Sequence, residues 1–374
     1  MNNDTLYQIA LMTCKGMSCK LYRKLVEHYG SAKAVFDADI ADVAAVTGGR
    51  ARNAVACIAA KESISKAESE IRFAERNGIA ILEFRDKEYP QRLNQEGCED
   101  TPPLLFYKGR ANLNRKCCVA IVGTRKATPY GQAETRRLVE QLRAIDDLLI
   151  LSGLAYGIDT LAHENATENN IENVGVLGHG LSTLYPPENR RLARRMVDSC
   201  GGLLTEYVSD TPISRNQFPA RNRIIAAMSD ATIVVEAAER GGALITAQMA
   251  AGYHRDVFAI AGRNEDAYSA GCNNLIATGQ AHMLRNVEDL TTWMGWKLKE
   301  GQPKIGVMSE GGLFEEQTPE EQQITELLRK ESVMTLDEIV EKSNISLPKI
   351  AVTLLGLELK KRIICLAGKK YKLI

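Results

Sequence analysis

Between positions 119 and 260 the apolar residues fall into short unbroken runs, at 119–122, 148–151, 174–177, 203–204, 232–235 and 257–260. Between them, near 130–143, 159–168, 188–199, 224–228 and 244–253, polar and apolar positions mix at helical spacing. Strands that are apolar throughout are buried on both faces, and their alternation with helices predicts a parallel sheet covered above and below. The flanks read differently. Over the first 61 residues short amphipathic helices are punctuated by glycine, as in CKGMSCKLYRKLVEHYGS and VTGGRARNAVACIAAK, which fits paired helix-hairpin-helix units or a small packing bundle. A helix at 65–77 leads through the proline-rich TPPLLFYKG into the alternating region. Past Trp296, KLKEGQPKIGVMSEGGLFEEQ has charge and glycine without period and reads as a linker. Helices at 318–330, 335–343 and 346–360 and a hairpin in RIICLAGKKYKLI then suggest a winged helix. The pattern predicts a helical domain at 1–78, an α/β core at 79–296, a linker at 297–317 and a winged-helix domain at 318–374.

Composition narrows the class. The chain has 374 residues, 45% of them apolar, ample for a real core. No run approaches the ~18 apolar residues of a membrane helix, and MNNDTLYQIA lacks the regions of a signal peptide, so a cytoplasmic location without membrane contact is expected. Nine cysteines are scattered with no CxxC, which signals neither a zinc site nor a disulfide framework. Lys plus Arg equals Asp plus Glu, 47 each. Local charge is less even. Arg110, Arg115, Lys116, Arg125 and Lys126 surround one turn, Arg190, Arg191, Arg194 and Arg195 share one helix, and Arg215, Arg221 and Arg223 cluster later. A neutral protein can still carry a basic groove, although the group at 190–195 fits a solvated helix face equally well.

The candidate chemistry lies in the turns after the strands, where open parallel sheets bind ligands. In VAIVGTRKATPYG a strand runs into Gly123, Thr124, Arg125 and Lys126, and Pro129 suits the first turn of a helix. Such a helix start offers N–H groups to an anion, and Arg125 can clamp a phosphate. SGLAYGIDTLAH places Gly153 and Gly157 around the next turn, GHGLSTLYPPEN starts with Gly178, and EAAERGGALITAQMAAG places Gly241 and Gly242 before another helix. Phe218, beside Pro219, Arg221 and Arg223, suits stacking on an unpaired base or anchoring of the loop. The dinucleotide fingerprint is absent, because Thr183 stands where the third glycine after Gly178 and Gly180 belongs, and there is no GxxxxGK[ST]. Ser152, Asp159 and His163 suggest hydrolysis, but no GxSxG presents a nucleophile, and a structural capping network explains them as well. The turn Gly241, Gly242, Ala243, Leu244 lacks the Gly-Gly-x-Gly-Thr of phosphate-chain cleavage.

Taken together, PPLLFYKG, VAIVGTRKATPYG, SGLAYGIDTLAH, GVLGHGLSTLYPPEN, GGLLTEY, FPARNRIIAAMSDATIVVEA, GGALITAQMAA and SAGCNNLIATG closely resemble the DprA (Smf) family of DNA-processing proteins over about 101–290. The resemblance implies an extended Rossmann-like, doubly wound, mostly parallel sheet. It also implies sequence-independent single-stranded DNA binding without catalysis, metal or cofactor, loading of the RecA recombinase during natural transformation, and a homodimer. By matching motif, Arg125 would grip phosphate within the Gly123–Lys126 turn, and Gly123, Gly153, Gly157 and Gly178 would admit the strand. Phe218, Arg221 and Arg223 would stack and contact phosphates, with Gly241 and Gly242 in the same pocket. The chain departs from the family pattern at Thr124 for serine, Ser182 for aspartate and Ala261 for proline. The alternatives are a nucleotide-binding or phosphoribohydrolase-like enzyme on the same fold, or an adaptor acting through its terminal domains.

Overall fold

The computed structural model describes residues 4–49, 51–98, 100–299, 318–331, 334–343, 345–359, 363–366 and 370–373. Six helices open the chain: α1 (Thr5–Met12), α2 (Cys19–Tyr29), α3 (Ala32–Asp37), α4 (Ile40–Thr47), α5 (Arg52–Ala60) and α6 (Ser63–Asn77). Local chemistry sets their ends. Ser18 and Ser31 accept N-cap bonds from the amides of Leu21 and Ala34, and Gly30 closes α2 at φ 86°, a conformation that favours glycine.

These six helices share a hydrophobic core with the sheet region C-terminal to them. One cluster runs from Ile9 and Leu25 through Phe84, Leu104 and Ala227 to Ala281. Tyr22 meets Phe84 edge-on at 6.4 Å, and the Glu70 carboxylate accepts from the amide and hydroxyl of Ser209 at 2.9 and 2.6 Å. Contacts divide the chain into two units only, Met1–Gln302 and Pro303–Ile374. The expected boundary at 78 is therefore a change of secondary structure within one body.

The sheet region runs β1 (Ala80–Glu83), β2 (Leu104–Gly109), β3 (Cys117–Val122), α7 (Pro129–Leu142), β4 (Leu148–Ser152), α8 (Ile158–Glu168), β5 (Glu172–Leu177), α9 (Arg190–Asp198), β6 (Gly202–Thr205), α10 (Gln217–Met228), β7 (Ala231–Val234), α11 (Gly242–Gly252), β8 (Asp256–Ala259), α12 (Ala270–Ala277), β9 (His282–Met283) and α13 (Val287–Met294). The strands lie in the order β1-β2-β6-β5-β4-β3-β7-β8-β9. Neighbours from β6 to β9 are parallel, whereas β1 and β2 are antiparallel at one edge. The chain thus winds outward from β3 to β6 and resumes at β7 on the other side of β3, in the doubly wound manner. Successive side chains of β3 serve opposite faces: Val119 and Ile121 join the cluster containing Leu138, Ala162 and Leu290, while Ala120 and Val122 join that containing Ile225 and Ala247. This double burial is why the strands read as unbroken apolar runs.

Strands β1, β2 and β9 and helices α12 and α13 add to the expected elements, and two of the expected helices begin elsewhere. The 188–199 stretch begins as a 3-10 turn, Pro187–Asn189, because the Asn189 side chain is drawn inward to the Leu154 carbonyl at 3.0 Å and the Thr160 hydroxyl at 2.8 Å. Helix α10 starts at Gln217 rather than near 224. Its first two turns carry polar residues whose burial rests on hydrogen bonds, which leaves no apolar period to read.

The second unit contains α14 (Pro319–Glu331), β10 (Met334–Thr335), α15 (Leu336–Ser343), α16 (Leu347–Leu359), β11 (Ile363–Leu366) and β12 (Lys370–Leu373), with strand order β10-β12-β11. Ile324, Leu328, Ile339, Ile350, Leu354 and Leu357 form its own core, as a winged helix requires. Of the expected linker, 300–317 lie outside the described residues. Its first residues are anchored, since the Lys299 amide donates to Ala144 O at 2.8 Å.

Candidate nucleic-acid interface

The carboxyl ends of β3, β4 and β5 lie side by side, and the first turns of α10 lean over them. Between these elements is a tight pocket with a cavity volume of about 10 Å³, lined by Arg125, Gly153, Ala155, Tyr156, Leu177, Gly178, His179, Tyr185, Pro186, Phe218 and Arg221. That is room for about one water, far below the size of a small-molecule or dinucleotide site, so a base or phosphate would lie across its mouth rather than inside it. Arg125 is exposed and makes no ion pair among the described residues, and its guanidinium lies 6.0 Å from the Phe218 ring centroid. Phe218 packs against Tyr185 at 5.6 Å, and the Tyr156 hydroxyl donates to Glu188 at 2.6 Å. The rim is thus aromatic with an available cation, a surface suited to stacked bases and a phosphate chain.

The helix start that looked most inviting to an anion is already occupied. At the N-terminus of α7 the Gly131 amide donates to the Thr128 hydroxyl at 3.2 Å. The buried Glu236 carboxylate accepts from the amide of Thr128 at 3.0 Å and from its hydroxyl at 2.6 Å. An internal carboxylate therefore takes the positive end of the dipole, and the expectation of free N–H groups there is corrected. The same contacts stiffen the turn: the Thr124 amide donates to Glu236 O at 2.7 Å, and Thr124 O accepts from the Ile158 amide at 3.1 Å. Gly157, at φ 76°, passes so close to Thr124 and Arg125 that a Cβ would strike their backbone. What this turn offers outward is the side chains of Arg125 and Lys126, both exposed.

The other expected residues divide. Arg221 lines the pocket floor at 4% exposure, donating to Gly153 O at 2.6 Å and to Val176 O, beside the buried Asp159. Burial pulls its pKa down to about 10 and pushes that of Asp159 up. Arg223 is not brought to the pocket. It pairs with the largely buried Glu206 at 2.6 Å and approaches Cys19 of α2 at 4.0 Å, so it faces the helical segment. Two residues along a helix point about 200° apart, which separates Arg221 from Arg223. The space left by three glycines is filled by the chain itself: a Cβ on Gly123 would strike Ile158, one on Gly153 would strike Arg221 and Asp159, and one on Gly178 would press on Phe218 at 3.1 Å. Gly241 and Gly242 are exposed at the uncapped start of α11 and do not line the pocket.

The hydrolytic candidates do meet, with Asp159 and His163 both against Ser152, but all three are buried and none lines the pocket. Ser152 is fully buried and donates to Ile121 O at 2.6 Å, while His163 Nδ1 lies 3.0 Å from Asn173 Oδ1. Burial pulls the His163 pKa down to about 4, so the ring is neutral near pH 7. Asp159 accepts from the Ala155 amide at 3.2 Å, the arrangement of a structural network.

A family model for DNA recombination-mediator protein A matches residues 80–295, and a DprA winged-helix model matches 314–369. DNA processing protein DprA of Streptococcus pneumoniae is 35% identical over 76% of this chain and 97% of its own length. The chain belongs to the DprA family. DprA of Bacillus subtilis is 37% identical over 57% of this chain and 70% of its own length. The crystal structure of the pneumococcal DprA superposes with a TM-score of 0.66 at 33% identity, covering 77% of this chain and 97% of that one. DprA of Helicobacter pylori, solved to describe its single-stranded DNA binding mode, superposes with a TM-score of 0.51 at 28% identity over 59% of this chain and 97% of that one. The family is one of DNA-processing proteins, and the names of these relatives lend no support to the phosphoribohydrolase alternative. No described helix is long and apolar enough to cross a membrane.

Where this DprA chain departs from the family pattern, the loops are held by hydrogen bonds. Ser182 donates to Ser209 O, and Ala261 O accepts from the Tyr130 hydroxyl at 2.6 Å. Two residues at the rim were not singled out from sequence, Tyr156 and Tyr185, which are 40% and 43% exposed. Arg215, already noted in a basic cluster, is exposed three residues before Phe218 with no ion pair among the described residues. Large aromatics in polar turns after strands were the available signal.

Proposed function

We propose that this protein binds single-stranded DNA without regard to sequence, at the carboxyl edge of its parallel sheet, and delivers it to the RecA recombinase during DNA uptake and recombination. The observation that carries this reading is the exposed Arg125, without an ion pair among the described residues, set against the Phe218 and Tyr185 rings at the mouth of a pocket too small for a cofactor. An aromatic face accepts any base, and a cation takes the phosphate beside it, so the site discriminates single strands from duplex rather than one sequence from another. In this reading Arg125, Lys126, Arg215 and Phe218 touch the strand. Gly123, Thr124, Gly153, Gly157, Gly178 and Arg221 hold the pocket in shape, and Gly241 and Gly242 extend the edge beyond it. Delivery to RecA, action in the cytoplasm and a homodimeric state rest on family membership.

Fluorescence anisotropy across a salt series tests the binding. Single strands are expected to bind more tightly than duplex, with an affinity that falls as salt rises. Equal affinity for both, or insensitivity to salt, would sink the proposal. Capture of RecA with and without single-stranded DNA tests the delivery step.

A further inference from the structure

The four arginines of α9 remain outside the pocket. At positions 190, 191, 194 and 195 they span about 140° of the helix, while Leu192, Ala193 and Met196 fill the opposite, buried side. All four are exposed. Arg195 pairs with Glu168 at 3.7 Å, but Arg190, Arg191 and Arg194 have no ion-pair partner among the described residues. The start of α9 is fixed to the pocket. Pro186 lies in the pocket wall, Glu188 accepts from the rim residue Tyr156, and buried Asn189 bonds to Leu154 and Thr160 behind the β4 turn. Arg190 comes immediately after, so a rigid basic face of nine residues, ~13 Å long, leaves the pocket rim and runs along the outside of the core.

We infer that this face is a second phosphate-binding track, which takes the part of a DNA single strand that extends beyond the pocket. The inference rests on the proposed single-strand binding. Three cations without acidic partners, in register with an aromatic-rimmed pocket, match a backbone leaving stacked bases, whereas the acidic surface of a partner protein would have no reason to begin at that rim. Glu168, with Glu164 beside it on α8, neutralises the far end at Arg195, which places the end of the track near Arg194.

The test replaces three residues of the full chain together, Arg190→Gln, Arg191→Gln and Arg194→Gln, and measures anisotropy with oligothymidylates of about 6 and about 20 nucleotides over a salt series. The longer strand is expected to bind on the order of tenfold more weakly, with a salt slope smaller by about 2, while the short one binds as before. Lysine at the same three positions should restore long-strand binding. Unchanged long-strand affinity and slope would overturn the inference, as would equal losses for both lengths, which would mean that α9 only shapes the pocket. Intact DNA binding with lost RecA capture would assign the face to a protein partner and overturn it too. These three outcomes leave the proposed function standing, whereas a wild-type protein that binds neither length removes both.

Discussion

Arg125 and Phe218 would contribute in ways that salt can separate. A guanidinium on a phosphate acts through counterion release, so Arg125→Ala should lower the salt slope by about 0.7 for a single strand. A stacked ring does not, so Phe218→Ala should weaken binding by about 1–3 kcal/mol with the slope kept. Anisotropy titrations at three or more salt concentrations check both. Arg223 belongs to a different account. Its partner Glu206 is largely buried, so Arg223→Ala leaves a carboxylate without its cation and should cost about 3–5 kcal/mol of stability in urea unfolding. If stability is unchanged while DNA binding falls, the structural role assigned to Arg223 fails.

Among the elements, α7 and α8 are each tied to the site by a buried group. Glu236→Ala would strip two hydrogen bonds from Thr128 at the start of α7, with an expected loss of about 1–3 kcal/mol. The loosened turn carries Arg125, so weaker DNA binding should accompany the lower urea midpoint. His163 in α8 makes stability depend on pH. Its ring titrates near 6.5 when exposed and at about 4 in the fold, so between these values the unfolded chain binds more protons. The contribution is intact above pH 6.5 and is lost as pH falls toward 4, by up to about 3 kcal/mol. Unfolding midpoints at pH 7.5 and 4.5 should differ accordingly, and His163→Asn should flatten the difference.

For the whole molecule, the shared core of the helical segment and the sheet has a direct consequence. Deleting residues 1–78 would uncover apolar surface around Phe84 and Leu104 and leave Ser209 without Glu70, so the remainder is expected to aggregate or melt at lower temperature. Removing residues 303–374 leaves that core whole and should preserve the melting transition of Met1–Gln302. Differential scanning calorimetry of the two truncations distinguishes these outcomes. Equal effects would contradict the division into two units.

The sequence alone determined the six central strands β3 to β8, though not the edge strands β1, β2 and β9, because doubly buried strands must be apolar throughout and the helices between them must be amphipathic, and both patterns are local. It also placed the turns, since Gly123, Gly153 and Gly178 mark strand ends where something approaches the backbone closely. What approaches was decided only by tertiary structure. Glu236 reaches the start of α7 from 108 residues away, and no pattern around Pro129 announces it. Arg221 and Arg223 look equivalent as neighbouring cations in one segment. Once α10 begins at Gln217, the helical turn sends one under the pocket and the other toward α2. Sequence spacing records which residues are near along the chain, whereas a site depends on direction, and direction is fixed only when the elements pack.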